Sequence, residues 1–300
     1  MRINKENTRI NQTGFTLLEV TVVVIIISIL LGFTMALVPR QQELRQYKKA
    51  DREMDKILDA IIGFAQVNGR LPCPSPAASA GVSSGGGNSD CATFSGFVPW
   101  DTLGIQGLIN KDSLLADPWG NPYRYYVPGN DANGDGNADF TFAGQMKEIG
   151  LGDRWDVETD PDNPTTGTDT YIDLDGQFVI CDAATTTVDI CDGGAAYVFG
   201  DPTDSNGNPT ATKGPYTGAI VVLLSTGKNG NQTPTGDELE NMGSTAAGQY
   251  FLKNNSTVLG VRETTFVKRT TGFADDFDDI IKWIPPSILF SKMIEAGQLP

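Results

Sequence analysis

The sequence predicts an α+β protein in which one long N-terminal helix precedes a β-rich region. An apolar run, residues 15–38, leads into a stretch whose apolar residues recur at steps of three and four, the period of a helix with one apolar face. Beyond residue 70, short β-branched and aromatic runs alternate with turns rich in glycine, proline, asparagine and aspartate. The 300 residues allow one large or two small soluble domains, at about 150 residues each.

The apolar run is long enough for a membrane-spanning helix, which needs about 20 residues. It is longer than the roughly 7–15 apolar residues of a cleaved secretory signal. Residues 1–14 carry three basic side chains and one acidic side chain. Because positive charge near such a helix stays on the cytoplasmic side, we expect a cytoplasmic N-terminus and the rest of the chain outside the inner membrane.

Glu19 is a carboxylate inside this apolar run, in the stretch GFTLLEV. With the basic leader before it and the uninterrupted apolar helix after it, the stretch resembles the class III signal of type IV pilins and type II secretion pseudopilins. The resemblance implies that a prepilin peptidase cleaves after Gly14 and methylates the new N-terminus at Phe15. It also implies that Glu19 sets the register of subunits in a filament. The alternative is a plain membrane anchor in which this glutamate is incidental.

The physical chemistry of Glu19 agrees with a role in assembly. A carboxylate in hydrocarbon costs a few kcal/mol and normally has a partner. Cleavage would give Phe15 a free α-amino group, which has a pKa of about 7.7–8.0 and is largely charged at neutral pH. Glu19 of one subunit could pair with Phe15 of another, or the two could pair within one chain because they are four residues apart.

An apolar stripe predicts that the helix continues past the membrane to about Asn68, where Gly69 would end it. Such a helix would be about 80 Å long, with Pro39 as a candidate kink. The stripe comprises Leu44, Tyr47, Met54, Leu58, Ile61 and Ala65. We therefore expect a leader at 1–14, a transmembrane and filament-core helix at 15–38, its amphipathic continuation at 39–70 and a β-rich periplasmic or extracellular domain at 71–300. The pilin resemblance implies a lollipop shape, with the helix packed on an antiparallel sheet that carries large loop insertions.

Several later segments are predicted strands, and the clearest is GAIVVLLSTG, residues 218–227. It and the turn DPWGNPY, residues 117–123, are similar to segments of the major pseudopilins of type II secretion. The other predicted strands are YRYYV, DFTFAG, YIDLDGQFVICDA, AAYVFG, TTFVKRT and DDIIKWI. The C-terminal residues from Trp283 onward predict a short amphipathic helix that ends at Gly297.

The four cysteines are even in number, widely spaced and free of any CxxC motif. Two disulfides in an oxidising compartment are the favoured interpretation. Four cysteines allow three pairings, and we expect Cys73 with Cys91 and Cys181 with Cys191, because each pair closes a short loop. Four unpaired thiols in a reducing compartment are the alternative.

Two acidic loops are candidate calcium sites. The first, DANGDGNADF, has an oxygen-bearing side chain at every second position and a glycine at position six, like the first half of an EF-hand loop. It lacks the glutamate of position twelve, so a solvated turn is the alternative. Its candidate ligands are Asp131, Asn133, Asp135, Asn137 and Asp139.

The second candidate loop is GFADDFDDIIKW, in which Asp278 and Asp279 are the candidate ligands. It resembles the Asp-Ile-x-x-Trp pattern that ends the calcium loop of major pseudopilins. In that family the loop closely follows the Gly-Asp-Gly turn, whereas here more than forty residues separate Gly230 from Asp275. Calcium is the one cofactor that the sequence indicates.

Composition points away from catalysis and from nucleic acid. The chain has 37 acidic and 22 basic residues, a formal net charge of -15 and no histidine, so histidine chemistry and broad phosphate binding are excluded. We expect a non-catalytic minor pilin or pseudopilin whose partners are the prepilin peptidase, other subunits and an inner-membrane assembly platform. The alternatives are a major filament subunit and a membrane-anchored adhesin or enzyme.

Overall fold

The computed structural model describes residues 16–85, 87–129, 136–149, 178–181, 219–230, 238, 241, 265–268 and 277–299. The chain divides into two units, residues 1–46 and residues 47–300. The helices of the described part are α1 (Leu17–Asn68), α2 (Gln145–Ile149) and α3 (Pro286–Glu295). Its strands are β1 (Ser95–Phe97), β2 (Leu108–Ile109), β3 (Leu115–Ala116), β4 (Arg124–Tyr126), β5 (Val179–Cys181), β6 (Val221–Ser225), β7 (Thr265–Val267) and β8 (Ile280–Ile284).

The predicted α+β class, a long N-terminal helix followed by an antiparallel sheet, is confirmed. Helix α1 starts at Leu17, two residues later than predicted, and runs through Pro39 to the predicted end at Asn68. Gly69 follows with a φ of 65°, and its N–H donates to the carbonyl oxygen of Ala65. Glycine adopts this left-handed conformation without steric cost, which explains why the helix ends there.

The C-terminal part of α1 packs on a four-stranded antiparallel sheet with the strand order β1-β4-β6-β8. The buried face of the helix differs from the predicted stripe, because Leu44 is exposed and Leu58 is only partly buried. Ala50 and Ile57, which the predicted stripe did not include, are buried on this face instead. A pattern of large apolar side chains does not identify a small residue such as Ala50. Its buried residues are Tyr47, Ala50, Met54, Ile57, Ile61 and Ala65.

Polar contacts also join this helix to the sheet. The Tyr123 hydroxyl donates to Glu53 Oε2 at 2.9 Å. Lys282, on β8, forms ion pairs with Asp51 and Asp55 on α1, and its Nζ lies 2.8 Å from Asp51 Oδ1. The two aspartates in these ion pairs are exposed. The ion pairs therefore orient the helix but add little to the stability, and the apolar face supplies most of the stabilisation.

The opposite face of the sheet is covered by a second layer that the sequence did not predict as such. Strands β5 and β7 pair in parallel, and Phe178 bridges to Ala219 at the start of β6. We call Phe178–Cys181 and Thr265–Lys268 the outer layer. Its aromatic residues join a second core cluster made of Tyr126, Phe178, Ile180, Ala219, Val222, Leu224, Phe266 and Ile281.

One predicted strand is wrong. The segment DFTFAG forms turns that lead into α2, and Gly144 has a φ of 90°. Phe140 is buried within this turn, and its carbonyl oxygen accepts from the N–H of Leu71 just after α1. The apolar alternation therefore reflects one anchored aromatic side chain rather than a strand. The predicted strand AAYVFG lies outside the described residues.

The C-terminal helix forms where the sequence predicts it, as α3. Leu289, Phe290 and Met293 are buried on its inner face, and Gly297 follows with a φ of 73°.

Cys73 and Cys91 are joined by a disulfide with a Cα–Cα distance of 5.4 Å, which is the first of the two predicted pairs. Cys181 lies in β5, while Cys191 lies outside the described residues, so the second pair stays a prediction.

We predict that Ile61→Ala lowers the free energy of unfolding of the second unit, residues 47–300, which we call the β-rich unit, by about 2–5 kcal/mol. The substitution opens a cavity between α1 and the sheet. Urea unfolding followed by circular dichroism measures this change. Ile288→Ala is the matched control, because Ile288 is 49% exposed on α3, and it should change stability by about 0.5 kcal/mol or less. Equal effects of the two substitutions would contradict the packing described.

Candidate functional site

The N-terminus of α1 is capped by a side chain that the signal motif contains. Thr16 Oγ1 accepts a hydrogen bond from the Glu19 N–H at 3.2 Å, which is half of a capping box of the form Thr-x-x-Glu. Glu19 is exposed and lies in the first helical turn, where a negative charge interacts favourably with the helix dipole. Gly14 and Phe15, the predicted processing residues, lie outside the described residues.

The part of α1 that follows Glu19 is apolar on all sides. Its large apolar side chains from Val20 to Leu31 are between 48% and 59% exposed. The hydroxyl groups of Thr21 and Ser28 donate to main-chain oxygens of Leu18 and Val24, each at 2.7 Å. A helix that is apolar all round, with its hydroxyl groups bonded to its own backbone, suits surroundings without water.

Within the part of the chain that the structure describes, no helix combines the length and the apolar character that crossing a membrane requires.

A cluster of three carboxylates lies at the end of the sheet where β8 begins. Asp278 and Asp279 come directly before β8, and Glu238 comes from the segment between β6 and β7. Each residue offers one carboxylate oxygen, and these oxygens all lie within 4.8 Å of one another. We call these three residues the acidic cluster. Among the described residues it is the group of carboxylates that could hold a metal ion.

A tight turn after β6 holds two members of the acidic cluster. Asp278 Oδ2 accepts from the backbone N–H groups of Lys228 and Asn229, at 2.6 and 2.9 Å. The Asn229 side chain donates to both carboxylate oxygens of Glu238, at 2.9 and 3.1 Å. Gly227 makes the close approach possible, since a Cβ there would collide with the backbone oxygen of Asp278.

The third member, Asp279, is tied to a different segment. Its Oδ2 accepts from Asn241 Nδ2 at 2.8 Å, and the same amide group donates to the carbonyl oxygen of Val267 at 2.9 Å. Asn241 Oδ1 in turn accepts from the Val267 N–H at 2.6 Å. The buried guanidinium of Arg124 acts electrostatically on Asp279.

The acidic cluster brings three carboxylates close together, with the Arg124 guanidinium acting electrostatically on Asp279. Three carboxylates and the Arg124 guanidinium leave an excess of two negative charges among these four side chains. Burial and the neighbouring Glu238 carboxylate raise the pKa of Asp278 to about 6, although the N–H groups of Lys228 and Asn229 oppose this shift. Burial, together with Glu238 and Asp278, raises the pKa of Asp279 well above its usual value.

The unsatisfied oxygens of the cluster fit a hard cation. Oδ1 of Asp278 and Oδ1 of Asp279 are buried and accept no hydrogen bond. Buried charged oxygens without partners are costly. Calcium prefers carboxylate and carbonyl oxygens in flexible geometry, and the cluster supplies three carboxylates for the 6–8 oxygen ligands that the ion takes. The residues present therefore fit a calcium ion.

A buried aspartate, Asp117, holds the DPWGNPY turn against the end of β6. Its Oδ1 accepts from the N–H groups of Trp119 and Asn121, and its Oδ2 accepts from the Ser225 hydroxyl at 2.7 Å. The Asn121 side chain then donates to the carbonyl oxygen of Gly227. Asp117 thus positions the turn that binds Asp278.

The two predicted calcium loops have different outcomes. The structure brings Asp278 and Asp279 together, although their status as ligands stays a prediction. In the other loop, Asp131, Asn133 and Asp135 lie outside the described residues. Asn137 is half-buried and Asp139 is buried, but neither belongs to the acidic cluster.

Sequence reasoning missed Glu238 and Asn241. Both residues have helical backbone and stand three positions apart in the sequence, which is the spacing of neighbours on one helix face. That spacing is the one sequence signal that could have paired them, because their partners are about forty residues away in the chain.

Comparisons with known proteins agree with the N-terminal motif. Residues 9–35 match the family model for the prokaryotic N-terminal methylation motif. Over 121 residues the chain is 31% identical to the type II secretion system core protein G of Pseudomonas aeruginosa, a match that covers 40% of this chain and 78% of that protein. No solved structure matches the chain significantly. The chain belongs to the superfamily of type IV pilins and type II secretion pseudopilins.

We predict that Asp117 makes folding less favourable as pH rises. Burial raises its pKa from the usual 3.8 to about 6, despite the hydrogen bonds that Trp119, Asn121 and Ser225 donate to its carboxylate. The folded state therefore binds a proton more tightly than the unfolded state, so the stabilisation is complete below pH 3.8 and is lost as pH rises through 6.

The test compares the wild-type chain with Asp117→Asn by urea unfolding between pH 4 and 7. The free energy of unfolding of the wild type relative to the variant should fall by roughly 2–3 kcal/mol over this range, because each pKa unit corresponds to about 1.4 kcal/mol. Other groups titrate equally in both proteins and cancel. Parallel pH profiles would show that Asp117 does not titrate in this window.

Proposed function

We propose that this protein is a non-catalytic minor subunit of a type IV pilus or type II secretion pseudopilus, processed after Gly14 and methylated at Phe15. The observation that supports the proposal most strongly is the apolar part of α1 after Glu19. It follows a helix N-terminus that Thr16 caps through the Glu19 N–H. Before assembly this segment anchors the chain in the inner membrane, with the β-rich unit in the periplasm. After assembly the same segment packs among the helices of other subunits.

The assembly role of Glu19 follows from its surroundings. Its carboxylate stands near the start of a helical segment, residues 16–31, whose other exposed side chains are almost all apolar. In a filament core that carboxylate would be removed from water and would need a cationic partner. The α-amino group of Phe15 on a neighbouring subunit is a cation that processing creates at the matching height. Their pairing sets the axial register.

The size of the chain supports a minor rather than a major subunit. The match to protein G covers 40% of this chain, so about three fifths of it lies outside that match. The outer layer occupies one face of the sheet with chain that a simple helix-and-sheet subunit does not need. Extra bulk is tolerated at a tip or a priming position more easily than at every lattice point. The partners are then the prepilin peptidase, other subunits and an inner-membrane assembly platform.

We also propose that the acidic cluster binds calcium. The excess negative charge and the two unpartnered carboxylate oxygens support this assignment. Calcium would offset the repulsion between Glu238, Asp278 and Asp279 and would fix the junction of the β6 turn with β8. The ion would have a structural role.

We predict that Glu19→Ala leaves membrane insertion and cleavage intact but reduces incorporation into filaments at least about tenfold. The variant deprives the Phe15 amine of its partner in the filament core, and removing one member of a buried ion pair costs about 3–5 kcal/mol. Immunoblotting of sheared filaments against the membrane fraction measures incorporation, and the mass of the membrane-bound chain reports cleavage.

Glu295→Ala is the control for this experiment, because it removes an exposed carboxylate from α3 and should leave incorporation unchanged. Normal incorporation of Glu19→Ala would overturn the assembly role. Loss of cleavage in the same variant would instead place Glu19 in peptidase recognition.

We predict that calcium raises the melting temperature of the detergent-solubilised full chain, and that a chelator lowers it. Calcium at 100 times its Kd adds about 2.7 kcal/mol to the folded state, enough to shift the midpoint by about 5 °C or more. Differential scanning fluorimetry with calcium and with EGTA measures the shift.

Asp278→Asn should abolish the calcium response, while Glu295→Gln should keep it. A response that persists in Asp278→Asn would assign calcium to the loop containing Asp131. Identical melting curves with calcium and with chelator would count against both sites.

A further inference from the structure

We propose that cation binding at the acidic cluster holds the outer layer against the sheet, so that removal of the cation releases this layer and uncovers an apolar sheet face. This inference rests on the proposed calcium site and says what that site controls. It concerns the described strands β5 and β7 and their contacts with β4, β6 and β8.

The acidic cluster is assembled from two parts of the chain. Asp278 and Asp279 belong to the start of β8, whereas Glu238 belongs to the segment that leads toward β7. Glu238 Oε1 also accepts the backbone N–H of Asp278 at 3.0 Å. A cation shared by these carboxylates would therefore join the two parts, and three mutually repelling charges without a cation would push them apart.

Asn241 transmits this connection to the outer layer. Its side chain bonds both the N–H and the carbonyl oxygen of Val267, the last residue of β7, and also bonds Asp279 in the cluster. Asn241 is buried, so none of these bonds is readily replaced by water. Displacement of the Glu238 segment would remove both backbone partners of Val267 at once.

The outer layer has little stability of its own. Strands β5 and β7 have three residues each, and a parallel pair of that length does not persist in isolation. Two backbone hydrogen bonds between Phe178 and Ala219 join it to the sheet, and the Phe266 ring meets the Tyr126 ring edge to face at 4.9 Å. Within the layer, the Phe266 and Phe178 rings also meet edge to face, at 5.7 Å. Lys268 Nζ also lies 4.6 Å from the Trp283 ring centre.

Release of the layer would expose a defined surface. Tyr126, Val222, Leu224 and Ile281 point from the sheet into the second core cluster, with Trp283 at its margin. The cation would then decide whether the face is closed by the chain itself.

Amide hydrogen exchange on the full chain in detergent tests the proposal, with calcium alone as the probe and EGTA as the reference. At calcium 100 times its Kd, openings that break the site should become about 100-fold rarer. We expect that in EGTA residues 265–268 and 178–181 exchange much faster than β6, residues 221–225, because the outer layer opens locally, and that calcium slows exchange of the outer layer by up to that factor. Glu238→Gln should show fast exchange in the outer layer even with calcium, and Glu295→Gln should match the wild type.

The outcomes separate this inference from the calcium site itself. Calorimetry that detects calcium binding, with no change of exchange in the outer layer, would overturn the inference and leave the site standing. Failure to detect binding would overturn both. If Glu238→Gln also exchanges fast in β6, it has unfolded, and the wild-type comparison with and without calcium then decides.

Discussion

One side of α1, from Tyr47 to Ala65, packs on the four-stranded sheet, and every residue of this face is 9% exposed or less. The first part of the same helix is exposed and apolar all round. A single helix therefore carries two kinds of surface, one covered by the chain itself and one that is exposed and apolar. The position of Glu19 gains its meaning from this second surface, since a charge there is tolerated only with a partner.

The end of the sheet depends on a chain of polar contacts. Asp117 holds Asn121 and Ser225, Asn121 holds Gly227, and the turn at Gly227 holds Asp278. The contacts of Asp117 and Asn121 bury polar groups together with their partners, as buried polar groups require. The series ends at the Oδ1 atoms of Asp278 and Asp279, which have no hydrogen-bond partner. A bound cation would complete it, and the segment containing Glu238 would be joined to the sheet.

Local pattern was enough to predict α1, β6, β8, α3 and the pairing of Cys73 with Cys91, because each follows from periodicity, turn residues or short loop closure. The outer layer was not predictable as a layer, since parallel pairing of β5 with β7 depends on contacts between distant segments. Glu238 and Asn241 were not predicted as site residues for the same reason, because they contact Asp278 and Asp279 from a distant part of the chain. The strand prediction for DFTFAG was wrong because one buried aromatic residue, Phe140, produces the apolar alternation of a strand although its backbone lies in a turn.

The central claim is that this chain is processed as a prepilin and then assembled through its new N-terminus. Mass spectrometry of the N-terminal peptide of the protein purified from its native membrane tests this most directly. We expect a chain that starts at Phe15 and carries one methyl group on its α-amine. A mature chain that starts at Met1, or one cut beyond the apolar run, would contradict it.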